Sequence, residues 1–254
     1  MDGDYNAGGV APAGWGVRGL LTGRMTWRRA AVIAAGTVVL VLALLPVDGA
    51  VLELTKRFQP GRDLALGGDL KRELEFVQQF GDVVCLAIVG AAVFLLDAKA
   101  RRRLLDGLAA VLATAAGYEV LKIGIGRLRP KFGEPLHFLG PFGTQPFEHG
   151  GVVVARHSWE VWGGISSDLW SMPSSHTAAA TALAVILARM YPRLTPLVVV
   201  LAIVVGCCRV IFAAHYPSDV AAGWGLGIVV AGLAMEGRWG QRVFARSGGP
   251  GGVG

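Results

Sequence analysis

The chain has 254 residues, of which 53% are hydrophobic and 17% charged, with a mean hydropathy of +0.52 and a formal net charge of +6. A soluble domain carries about 25% charged residues, so the deficit points to a membrane protein. There is no long basic tail and no basic–aromatic interleaving, which argues against nucleic-acid binding.

Residues 1–26 open with "MDGDYNAGGVAPAGWG", rich in Gly and Pro and without period, and are expected to be a flexible terminus. A membrane domain is expected over 27–236. Its first apolar segment, Trp27–Val47, begins late for a cleaved signal peptide and is followed by no small-residue cleavage pattern, so it reads as a retained span. Further apolar segments follow at Phe76–Leu96, Leu104–Ile125, Ser174–Tyr191, Thr195–Ala214 and Asp219–Met235. A spanning helix needs about 20 mostly apolar residues, and six such segments predict an all-α integral membrane bundle of six transmembrane helices. The longest connection, 131–172, carries Phe132, Phe138, Phe142, Phe147, Trp159, Trp162 and Trp170. Aromatics at this density suit a membrane–water interface, a lid over a lipid, or a small core within the loop. Residues 237–254, ending "RSGGPGGVG", are expected to be a second flexible terminus. Cys85, Cys207 and Cys208 lie in apolar runs, with no disulfide or zinc pattern.

Cytoplasmic loops carry an excess of Lys and Arg. With the N-terminus inside, Arg18, Arg24, Arg28 and Arg29, the "KARRR" loop at Lys99–Arg103, Arg189 with Arg193, and Arg238, Arg242 and Arg246 all fall on that side. These are 13 of the 24 basic residues, concentrated in short segments. Both termini are therefore expected in the cytoplasm, with the 131–172 loop outside.

This topology carries three polar clusters to the outer face. In "KIGIGRLRP", Lys122 and Arg129 are seven residues apart, and a helix persisting to Pro130 would place both on one side. In "MPSSHT", Pro173, Ser174 and Ser175 open the fourth span beside His176, and a helix start offers free amides to an anion. In "RVIFAAHYPSD", Arg209 ends the fifth span, and His215 and Asp219 stand four residues apart, a helical spacing at which a carboxylate reaches an imidazole. Arg127 lies off the Lys122–Arg129 face and reads as an interfacial anchor. Glu119 reads as the ion-pair partner of Lys122, Asp82 and Asp106 as structural, and His137, His149 and His157 as ordinary loop residues.

Taken together, Lys122 with Arg129-Pro130, Pro173-Ser174-Ser175-His176, and Arg209, His215 and Asp219 resemble the tripartite signature of the type 2 phosphatidic acid phosphatase superfamily. Two positions depart from it: Ser175 stands where Gly is usual, and Cys208 where Ser is usual. The resemblance implies a membrane phosphatase in which His215 is the nucleophile, Asp219 orients it, and His176 is the general acid and base. Lys122, Arg129 and Arg209, with the amides around Ser174 and Ser175, would hold the phosphoryl oxygens, and neither metal nor cofactor would be required. The expected partner is a lipid phosphate in the bilayer of the plasma (inner) membrane: an isoprenoid diphosphate of the undecaprenyl type, phosphatidate or phosphatidylglycerol phosphate. A lipid phosphotransferase using the same phosphohistidine, and a non-catalytic phospholipid-binding membrane protein, are the alternatives.

Overall fold

The computed structural model describes residues 16–59, 61–63, 65–149, 152–161 and 167–247. In chain order the helices are α1 (Val17–Thr22), α2 (Trp27–Leu44), α3 (Asp48–Lys56), α4 (Gly68–Val77), α5 (Val83–Leu96), α6 (Arg101–Ile125), α7 (Ser175–Met190), α8 (Thr195–Ile211), α9 (Pro217–Gly237) and α10 (Trp239–Ser247). Their ends follow from local chemistry. Thr26 caps α2 by accepting from the Arg29 amide at 3.2 Å, and Asp82 caps α5 by accepting from the Val84 amide at 2.9 Å.

Helix α7 is the centre. Ala178, Ala180, Ala182, Ala184 and Ala188 along it are fully buried, and α9, α8 and α6 pack around it. The α7–α9 crossing is close because α9 presents Gly223 and Gly227 at a four-residue spacing. A Cβ on either would lie 2.7 Å from a backbone oxygen of α7, Ser174 and Ala178 respectively. Small residues at such spacing let membrane helices approach backbone to backbone. This contact sets the start of α7 against the start of α9.

The outward surface is apolar: Val38, Val39 and Leu42 on α2, Ile88 and Leu95 on α5, and Leu197, Val200 and Ile203 on α8 are all exposed. A patch of that extent needs a bilayer or a partner to cover it, and by length and composition the chain is a multi-pass membrane protein. Among the described residues, four helices are long and apolar enough to cross a membrane, or five if one bent pair counts as a span. That differs from the six expected. The second segment, Phe76–Leu96, is not one helix: Gly68–Gly81 and Val83–Leu96 meet at 61°, where the Asp82 cap starts a new helix. The fourth, α7, has only 16 residues, about 24 Å at 1.5 Å per residue.

Three further expectations change. A two-stranded antiparallel hairpin, β1 (Thr144–His149) with β2 (Val152–His157), lies in the 131–172 loop, pairing Thr144 with His157, so the fold is not purely α. The loop holds itself together partly through indoles: Trp170 donates to the Ser158 carbonyl at 2.8 Å, and Trp159 donates to that of Pro141 at 3.1 Å and stacks on His157. Trp162 and the Phe147 side chain lie outside the described residues. The termini are also more ordered than their composition suggests. Within 1–26, α1 forms and Leu21 and Met25 are buried, because Arg189 donates to the carbonyls of Leu21 and Gly23 at 3.1 and 2.7 Å. Within 237–254, α10 forms and docks through Gln241, whose amide and side chain meet Asp106 at 3.0 and 2.6 Å. Residues 1–15 and 248–254 lie outside the description.

Candidate active site

The ends of α6, α7, α8 and α9 that carry the three sequence clusters meet at one end of the bundle. Helix α6 stops at Gly126, whose φ of +57° is the left-handed conformation that ends helices. Lys122 therefore remains on the last turn of α6, buried, with its Nζ 3.2 Å from Glu119 Oε1. The helix does not persist to Pro130 as expected. Residues 127–129 run extended, and the Arg129 amide donates to the Asp168 carbonyl at 2.9 Å. Burial holds the Arg129 guanidinium below its ordinary value, and its Nε is buried without a hydrogen-bond partner. Arg209, on the last turn of α8, donates through Nη1 to Gln78 Oε1 at 3.1 Å, while its Nε also lacks a partner. Two buried guanidinium N–H groups without an acceptor in the protein are donors suited to an anion.

His215 sits in the short connection between α8 and α9, 2% exposed. Its Nδ1 lies 2.8 Å from the backbone carbonyl oxygen of Ser171. A carbonyl can only accept, so Nδ1 carries the hydrogen and Nε2 presents its lone pair. That Nε2 is buried and has no partner. Burial lowers the imidazole below its ordinary value, opposed by Asp219 and reinforced by Arg209 and Arg129. The expected His–Asp pairing is present only as a 3.6 Å contact between Nδ1 and Asp219 Oδ2; the hydrogen bond goes to Ser171.

Asp219 is fully buried at the third position of α9, and both its oxygens are occupied. Oδ2 accepts from the Ser171 hydroxyl at 2.5 Å and the Tyr216 amide at 2.9 Å, and Oδ1 accepts from Arg127 Nη1 at 2.6 Å. Arg127 is thus no interfacial anchor: it is 0% exposed, and its other Nη reaches Asp48 Oδ2 at 2.6 Å. Ser218 closes the cluster, its hydroxyl accepting from Arg127 Nη1 at 2.6 Å and its amide donating to Asp48 Oδ1 at 3.1 Å. Deleting one member of such a buried ion pair typically costs about 3–5 kcal/mol, because the other charge is left unpaired.

At the start of α7, the Ser174 amide donates to the Asp219 backbone carbonyl at 3.0 Å, so it is committed within the protein. The amides of Ser175 and His176, in the first turn, have no intrahelical acceptor. His176 lies in the field of Arg209, His215, Asp82 and Lys122. Cys208 is fully buried. The structure therefore gathers Lys122, Arg129, Ser174, Ser175, His176, Arg209, His215 and Asp219 in one place. Sequence reasoning missed Asp48, Ser171 and Ser218, and misread Arg127.

From this cluster an apolar cavity of about 540 Å³ runs between α5, α6 and α7. Asp82, Tyr118, Ser175 and His176 line its polar end, and Gly107, Leu108 and Ile186 its far end. Ser175 and Ile186 are eleven positions apart on α7, about 16 Å of helix.

The family model of the PAP2 superfamily matches residues 103–242. Among solved structures, the chain is similar to a transmembrane PAP2 type phosphatidylglycerolphosphate phosphatase from Bacillus subtilis. Identity is 19%, 88% of this chain and 98% of that one are covered, and the TM-score is 0.54. It also resembles LpxE from Aquifex aeolicus at 17% identity, covering 72% of this chain and 93% of that one, with a TM-score of 0.47. No curated protein matches the chain.

Proposed function

The chain belongs to the PAP2 superfamily, and on that footing we propose that it is a membrane lipid phosphatase acting through a phosphohistidine on His215. The observation that carries this reading is the Nδ1–H bond from His215 to the Ser171 carbonyl, which leaves a buried, unpartnered Nε2 beside the unpartnered Nε groups of Arg129 and Arg209.

In the first step Nε2 of His215 attacks the terminal phosphorus, and the bond from phosphorus to the leaving oxygen breaks. That oxygen belongs to the lipid alcohol in a monophosphate and to the lipid monophosphate in a diphosphate. His176 gives its proton to that leaving oxygen. The ring left on phosphorus carries positive charge, which the Ser171 carbonyl and the nearby Asp219 carboxylate stabilise. In the second step His176 takes a proton from water, the resulting hydroxide attacks phosphorus, and the P–N bond breaks. Inorganic phosphate leaves and neutral His215 is restored. Lys122, Arg129, Arg209 and the amides of Ser175 and His176 hold the non-bridging oxygens throughout. These cations supply the charge stabilisation a metal would otherwise give.

The apolar cavity that starts at His176 supports a phosphate attached to a hydrocarbon chain, since each buried methylene contributes about 0.8 kcal/mol. The substrate class is a lipid phosphate or diphosphate. Within it our narrower reading is an isoprenoid diphosphate, which cell-wall synthesis releases on the outer face of the membrane. An outward-facing site is supported by Arg24, Arg29, Arg189 and Arg101–Arg103, which lie toward the bundle end opposite His215. That end faces the cytoplasm, with both termini, and the site faces outward. Phosphate release from undecaprenyl diphosphate, phosphatidate, phosphatidylglycerol phosphate and glucose 6-phosphate tests the assignment. A large preference for the lipids is expected. Equal efficiency toward the sugar phosphate would remove it, and a preference for phosphatidate would remove only the narrower reading.

A further inference from the structure

Asp48 and Arg127 are fully buried charged residues that do not line the cavity, yet they connect to the nucleophile through an unbroken run of contacts. Arg127 takes Oδ1 of Asp219, which leaves Oδ2 for the Ser171 hydroxyl and the Tyr216 amide. The Ser171 hydroxyl thereby ties down the same residue whose carbonyl fixes the His215 ring. Arg127 is itself held on every side: by Asp48, by Ser218, by the Pro135 carbonyl, and between the rings of Phe138 and Tyr216, at 5.0 and 4.2 Å from their centroids.

We propose that Asp48 and Arg127 are positioning residues for the reaction: through Asp219 and Ser171 they hold the His215 ring in line for attack without touching substrate. This rests on His215 being the nucleophile. The planar guanidinium is essential to the role, because one side chain must present separate N–H groups to two carboxylates, a serine and a carbonyl at once. A lysine ammonium cannot span those acceptors. Asp48 comes from α3, outside the three sequence clusters, so the site is completed by an element that carries no part of the signature.

The test uses the full chain in detergent, assayed on whichever lipid of the panel above is turned over fastest. The variants are Arg127→Lys, Asp48→Asn and, alongside them, His215→Ala. Misplacing a reacting atom by about 1 Å can cost roughly a hundredfold in rate. Arg127→Lys is expected to lower kcat about a hundredfold and Asp48→Asn about tenfold. In both, KM and the inhibition constant of inorganic phosphate should stay within about twofold, because the phosphate-binding cations are untouched. A role only in holding the fold would lower the yield of folded protein and leave kcat per folded molecule unchanged, and that result overturns the proposal. If Arg127→Lys does not fold, the near-isosteric Asp48→Asn decides: an unchanged kcat overturns the proposal. Undiminished activity in folded His215→Ala overturns the nucleophile assignment and this inference with it. Inactive His215→Ala beside a fully active Asp48→Asn overturns this inference alone.

Discussion

The Nδ1 of His215 is 2.8 Å from the backbone carbonyl of Ser171. A backbone carbonyl has no protonated form to reach near neutral pH, so this bond fixes one imidazole tautomer across the working range. Asp219, 3.6 Å from the same nitrogen, contributes negative charge and holds Ser171 in place.

His215→Ala should remove phosphate release by about two to four powers of ten while the protein still elutes as a single folded species. His176→Asn should slow turnover of a lipid alkyl phosphate far more than that of an aryl phosphate, whose leaving group departs without a proton. Activity should survive exhaustive treatment with chelator. Comparable defects on both substrates would remove His176 from the leaving-group step.

Burial lowers the His215 imidazole beneath its ordinary 6.5, with Asp219 opposing and Arg209 and Arg129 adding to the shift. A depressed value means Nε2 stays unprotonated as pH falls through 6.5, and nucleophilicity is lost only below it. In His176→Asn with an aryl phosphate, where general-acid help is unnecessary, the acid limb of kcat/KM reports His215 once the substrate's own second phosphate ionisation, at about pH 6, is divided out. That limb should lie below 6.5; a limb above 7 would contradict the burial of this ring.

Ala179 lines the cavity between α5, α6 and α7. Ala179→Phe should push a lipid chain out of part of it. Displacing two methylenes forfeits about 1.6 kcal/mol, roughly a 15-fold loss in kcat/KM for a long-chain substrate. A short-chain or water-soluble phosphomonoester should be unaffected, and equal losses on both would place the lipid tail elsewhere.

Among the described residues, Phe142, at 89% exposure, is the most open large hydrophobic side chain of the 131–172 loop. Phe142→Cys, in a background lacking Cys85, Cys207 and Cys208, should react with an impermeant thiol reagent added outside intact cells. Labelling only after the membrane is broken would reverse the orientation.

Much of the candidate site was legible because the chemistry proposed for it needs particular side chains at particular spacings. Lys122 with Arg129, Ser174 to His176, and Arg209, His215 and Asp219 stand at the same end of the bundle, although one step of the reasoning failed. A continuous helix to Pro130 was not needed to unite Lys122 with Arg129; the left-handed Gly126 ends it and turns Arg127 inward. Ser171 could not be found from its type, since the group that matters is a carbonyl that every residue has. Asp48 carried no signal either, because a buried carboxylate is recognisable only once its distant guanidinium is in place. The bent second segment and α7, at 16 residues, show the limit of counting apolar runs, which cannot see where a cap such as Asp82 restarts a helix.

The Asp48–Ser218 contact also has a history in time. Ser218 follows Asp48 by 170 positions in the chain, and Arg127 follows it by 79. At about 5–20 residues per second, the ribosome takes roughly ten to thirty seconds to travel from the carboxylate to the last of its partners. Asp48 is without Arg127 for the first 79 positions of that interval and without Ser218 for all 170. The buried cluster therefore closes in two stages: Arg127 brings the charge that Asp48 needs, and α9 brings Ser218 and Asp219, the last of its partners.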